Sequence, residues 1–87
     1  NGSRLAYPSI FTINGEIRHN NNYHNFMKNG QLLLNDSGAE SSNYYASDIT
    51  RTFPVSGKFS SQQREIYSIV FKMQEAALKL CKAGNSI

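Results

Sequence analysis

The sequence predicts an α+β fold: antiparallel strands, a hairpin among them, followed by one long amphipathic helix. Three observations carry this. Runs of β-forming residues punctuated by turn dipeptides fill residues 9 to 55. A capping box then opens at Ser60. Apolar residues beyond it recur at helical spacing. Strands followed by a helix, in that order, are expected to pack as an antiparallel sheet with the helix on one face.

Ser9-Ile-Phe-Thr-Ile13 is the first strand pattern, and Asn14-Gly15 ends it as a strong turn signal. Residues 19 to 25 are polar and read as loop, and Asn29-Gly30 marks a second turn. Gln31 to Ala39 reads as a strand, Glu40 to Asn43 as a polar turn, and Tyr44 to Val55 as a second strand. Pro54 marks that strand's end or an edge position. Ser56-Gly57-Lys58 is a further turn. The helix pattern covers about 61 to 83. Ile66, Val70, Met73, Ala77 and Leu80 form its apolar face, and Arg64, Ser68, Lys72, Glu75, Lys79 and Lys82 the other. Gly84 is the expected stop.

The chain has 87 residues, enough for one small domain and no more. A domain of that size buries only about 60% of the surface its unfolded chain exposes, so it must pack well or cover a face with something else. The net charge of +3 is spread along the chain, and its nine basic residues form no run. Nucleic-acid binding, which needs a basic stripe, is therefore not expected. No apolar run approaches membrane-spanning length. Cys81 is the single cysteine and makes no internal disulfide, which suits a reducing, cytoplasmic setting. It reads as a small buried apolar residue of the helix. The triplets Asn1-Gly2-Ser3 and Asn35-Asp36-Ser37 match the glycosylation pattern at chance frequency and give no argument for secretion.

Asp36 and Asp48 are the pair with chemical content. If their strands form a hairpin turning near Ser42, the two stand directly opposite each other, with Cβ atoms about 4.5–5.5 Å apart on one face. Leu32 and Leu34 share the face of Asp36 and look core-directed. Like charges so placed repel and must be neutralised. A shared proton, a nearby arginine or divalent cations would each do it, cations best, because hard cations prefer oxygen ligands. Against this stands the ordinary expectation that an aspartate in a small domain is a solvated side chain.

The runs Asp36-Ser-Gly-Ala-Glu40, Tyr45-Ala-Ser-Asp-Ile-Thr-Arg-Thr-Phe-Pro54, Gly57-Lys-Phe59 and Gln63-Arg-Glu-Ile-Tyr67 resemble the catalytic domain of aminopeptidase P, a family of pita-bread metallopeptidases. The resemblance is firmest over residues 31 to 70. It implies half of a pita-bread fold and part of an enzyme that removes the N-terminal residue preceding proline. It implies two divalent metal ions, manganese foremost and cobalt or zinc as alternatives. It makes Asp36 the ligand of one metal and Asp48 the ligand bridging both. His19, seventeen positions before Asp36, matches the active-site histidine that binds substrate and helps move the proton. His24, Arg51, Thr52, Tyr44, Tyr45 and Glu40 receive no ligand or catalytic role. Prolidase and methionine aminopeptidase are the neighbouring readings, and a metal-free pita-bread binding module is the non-enzymatic one.

The resemblance also shows departures. Eleven residues separate Asp36 from Asp48, one more than in familiar members, and the turn from Ser41 to Tyr44 is the expected place for the extra residue. The remaining ligands, one histidine and two glutamates, belong to a C-terminal half that would follow Ile87. Residues 1 to 87 are thus expected to be a single piece of a catalytic domain. Alone, they should be inactive, able to stand without metal, and prone to self-association through an uncovered sheet edge and helix face.

Overall fold

The computed structural model describes residues 2–19 and 22–86. Asn20 and Asn21 of the expected polar loop, and Asn1 of the first glycosylation triplet, lie outside them. The element order is β1 (Arg4–Leu5), β2 (Ile10–Ile13), β3 (Leu32–Ser37), β4 (Ala39–Glu40), β5 (Ile49–Pro54) and α1 (Ser61–Leu80). The α+β class is as the sequence predicts. β2, β3 and β5 form a three-stranded antiparallel sheet in that order, and β1 pairs with β4.

Local chemistry accounts for the turns. Asn14 and Gly15 both have positive φ, 51° and 68°, as a primed two-residue turn requires. Pro54 closes β5, which is an edge strand of its sheet, the place where a missing N–H costs least. β1 was not foreseen, since two residues carry no periodicity.

The hairpin register differs from the expected one. Asp36 stands opposite Thr50 and Ser37 opposite Ile49, while Glu40 bridges Ala46. The loop tip is Ser42–Tyr44, closed by Tyr44 N–H to Ser41 O at 3.0 Å and Ser41 N–H to Tyr45 O at 2.9 Å. Tyr44 takes a left-handed φ of 65°, which completes a three-residue loop centred one residue later than Ser42. Asp48 is therefore level with Gly38, two residues along from the position opposite Asp36. The two aspartates are diagonal neighbours, not a facing pair, but the parity of their side chains is unchanged.

The capping box forms as predicted: Gln63 N–H donates to Ser60 Oγ at 3.2 Å, and Ser60 N–H donates to Gln63 Oε1 at 2.9 Å. Gln63 Nε2 also donates to Gly30 O at 2.9 Å, tying the helix start to the turn before β3. The helix ends earlier than expected. Cys81 leaves the helix with ψ 78°, and Asn85 Nδ2 donates to Leu80 O at 2.8 Å. Gly84, with φ 92°, belongs to a separate turn in which Asn85 N–H reaches Lys82 O.

Two expectations about burial fail. The helix does not lie on a sheet face: none of its residues is buried, and Val70 and Leu80 are 58% and 67% exposed. Cys81 is exposed as well. The contacts that hold the helix gather at its start, through Gln63 and the Phe59–Tyr67 ring pair at 4.9 Å, and the apolar stripe beyond stays exposed. Among the described residues only Leu33, Thr12 and Pro54 are buried. So small a core is what a chain this short, with five short paired strands, can build.

Candidate metal centre

The site begins with a break in the strand pairing. Ala6 N–H donates to Gly38 O at 2.9 Å, while Ile10 stands opposite Asp36. Three residues, Tyr7, Pro8 and Ser9, thus stand against the single Ser37. This is an extended β-bulge, a device that re-aims a side chain. Pro8 has no N–H to lose where the ladder is already broken. The bulge turns Tyr7 toward the aspartates.

Tyr7 Oη hydrogen-bonds Oδ1 of Asp36 in a short contact and lies 3.1 Å from Oδ1 of Asp48. One hydroxyl reaching both carboxylates fixes them on one side of the sheet, with those oxygens no more than roughly 6 Å apart. The phenol has one hydrogen to donate, so Asp36 takes the larger share and Asp48 the weaker. Asp36 is half-buried and Asp48 exposed. Burial first, and then the two carboxylates, raise the Tyr7 pKa well above the ordinary tyrosine value. The phenol therefore stays protonated and able to donate throughout the neutral range.

Gly38 makes the close approach possible. A Cβ there would meet the Ser47 carbonyl oxygen at 1.8 Å and Tyr7 Cε1 at 3.0 Å. The Tyr7 ring edge rests where only a glycine leaves room, and its hydroxyl sits over the carboxylates. Sequence reasoning missed Tyr7. The available signal was Pro8 interrupting a run of strand-forming residues.

Two carboxylates converging under one donor suit a divalent cation, whose preferred ligands are hard oxygens. The set is partial. Among the described residues no group of three or more His, Cys, Asp or Glu could hold a metal. His19 lies exposed in the loop between β2 and β3, and no hydrogen bond or ion pair among the described residues joins it to Asp36 or Asp48. The structure thus brings together two of the three predicted residues. His24 is exposed in the same loop, its N–H bonded to Asn22 Oδ1.

The other residues of the signature have structural partners. Glu40 forms an ion pair with Arg4 at 2.9 Å across β1 and β4, and the Arg4 guanidinium lies 5.5 Å from the Tyr44 ring centre. Tyr45 is exposed, not packed in the hairpin. The opposite sheet face carries an apolar groove of about 750 Å³, lined by residues that include Phe11, Ile13, Ile17, Tyr23, Met27 and Leu33.

The family model described as metallopeptidase family M24 matches residues 1–87. The chain is 49% identical over 86 residues to the Xaa-Pro aminopeptidase of Escherichia coli, which takes in 93% of this chain and 19% of that protein. It is 42% identical over 87 residues to Xaa-Pro aminopeptidase 3 of Rattus norvegicus, covering 95% of this chain and 17% of that protein. With the Xaa-Pro aminopeptidase of Haemophilus influenzae it shares 56% identity over 61 residues, 70% of this chain and 14% of that one. The chain thus spans less than a fifth of the length of these relatives. No solved structure matches it. No helix among the described residues is long and apolar enough to cross a membrane.

Proposed function

The chain belongs to metallopeptidase family M24, and on that premise we propose that it carries part of the active site of a dinuclear-metal aminopeptidase that removes the N-terminal residue preceding proline. The observation that carries the reading is the convergence of Asp36 and Asp48 under one phenol. The names of the Escherichia coli and rat relatives support the proline specificity.

In this reading Asp36 and Asp48 would hold the divalent ions, manganese foremost, with cobalt or zinc as alternatives. When bound, paired metals supply an activated water as nucleophile and positive charge for the attacked carbonyl. The residues of this chain do the rest. The β3–β5 pairing sets the spacing of the two carboxylates, and Asp48, being exposed, leaves the pair reachable from solvent. His19 binds the substrate near the scissile bond and helps move the proton.

Two carboxylates leave most of a metal's coordination open, so further donors come from outside residues 1–87. The isolated chain is then a single piece of the catalytic domain with negligible turnover. Its uncovered helix face supports self-association, with the missing half of the catalytic domain as the natural partner. The single, exposed, unpaired Cys81 suits the cytoplasm.

The test is release of the N-terminal residue from a peptide with proline second, in the presence of manganese. The full-length protein turns over and residues 1–87 do not. Asp36→Asn and Asp48→Asn each lower full-length turnover by more than the 10–100-fold typical of residues that only support a ligand. Full activity in either variant would contradict the assignment.

A further inference from the structure

We propose that Tyr7 is a positioning residue of the metal centre, gathering the Asp36 and Asp48 carboxylates onto one point before a cation arrives. This rests on the dinuclear-metal reading above and adds a residue to it.

Four observations converge on Tyr7. The bulge of Tyr7, Pro8 and Ser9 has no pairing role of its own, since Ala6 and Ile10 resume the ladder on either side. Its effect is to aim one side chain. The hydroxyl at that side chain's end meets one oxygen of each aspartate. The ring is held at its flank against Gly38, where a Cβ would crowd it at 3.0 Å. And among the described residues no hydrogen bond reaches Oδ2 of either aspartate, so each carboxylate keeps one oxygen free for a cation.

The physical consequence follows from charge. Two carboxylates drawn together repel, and among the described residues no other hydrogen bond or ion pair reaches them to oppose their separation. Asp48 is exposed and would swing into water without a partner. A donor shared by both holds them in a geometry a cation can use, so binding need not meet the ordering cost. The sheet alone sets the spacing of the two Cβ atoms. Tyr7 sets the direction of the carboxyl groups.

The experiment is manganese binding to the full-length protein, followed by the loss of the free-ion electron paramagnetic resonance signal, for the parent and for Tyr7→Phe. The phenylalanine keeps the ring and removes only the hydroxyl. Affinity is expected to fall about 10–100-fold, the effect seen when a ligand loses its supporting hydrogen bond. A second readout is spectroscopic: manganese binding to the parent should perturb the near-ultraviolet band of a tyrosine. The perturbation should be absent in Tyr7→Phe. Binding by Tyr7→Phe as tight as the parent's, or tighter because the phenol competes with the ion, overturns the proposal. So does manganese binding that leaves every tyrosine band of the parent unmoved. A parent that binds no manganese, or Asp36→Asn and Asp48→Asn variants that bind it normally, would instead overturn the metal reading and this proposal with it.

Discussion

The backbone carbonyl oxygen of Ser47 lies 1.8 Å from the point where a Cβ on Gly38 would stand. Real Cβ atoms do not come so close to backbone, so this crossing of the hairpin admits glycine alone. Gly38→Ala forces the strands apart, and overpacking of this kind costs about 1–3 kcal/mol. Because the obstacle is backbone, not a movable side chain, the loss belongs at the upper end of that range. Denaturant unfolding of the variant checks it. Unchanged stability would mean that the strands do not approach as described.

The helix stands on local interactions. None of its residues is buried, so it lacks the packed amphipathic face from which most protein helices draw their stability. Its cap therefore matters more than it would in a packed helix. Ser60→Ala removes the acceptor for Gln63 N–H and should cost about 1 kcal/mol. The loss should appear as reduced helical circular dichroism of residues 1–87.

Tyr7 should titrate late. Its folded pKa is raised above the ordinary value of about 10, by burial first and then by Asp36 and Asp48. A raised folded pKa means that the protonated phenol's contribution to stability is complete below about pH 10. It is lost as pH climbs through the higher folded value. The ultraviolet tyrosinate titration of the parent minus that of Tyr7→Phe should have its midpoint above 10. A midpoint at the ordinary value would show that the phenol is not held by the carboxylates.

His19 and His24 separate by readout. His19→Ala in the full-length protein should lower kcat by about 10²–10⁴-fold, the usual worth of a proton-moving group, and leave metal content unchanged, since among the described residues no hydrogen bond or ion pair ties His19 to the carboxylates. His24→Ala should leave both nearly unchanged. Loss of metal in His19→Ala would make it a ligand instead.

The legibility of the fold follows how local each signal is. Ser60 and Gln63, three residues apart, announce the helix start, and the structure has it there. Asn14-Gly15 announces a turn because two adjacent residues accept positive φ. The side on which Asp36 and Asp48 lie was legible from strand parity. Their register was not, because it turns on Tyr44 adopting a left-handed conformation that a tyrosine seldom takes. Tyr7 was illegible for a longer-range reason. Its role depends on a bulge opposite Ser37, and so on pairing between residues about thirty positions apart. The uncovered helix face is of the same kind: the amphipathic pattern says that a partner surface is needed, not which polypeptide supplies it.

The most direct measurement is the anomalous scattering of manganese in crystals of the metal-loaded full-length protein. Density for the ion is expected within bonding distance of oxygens from both Asp36 and Asp48. Manganese bound elsewhere, with the two carboxylates turned apart, would contradict it.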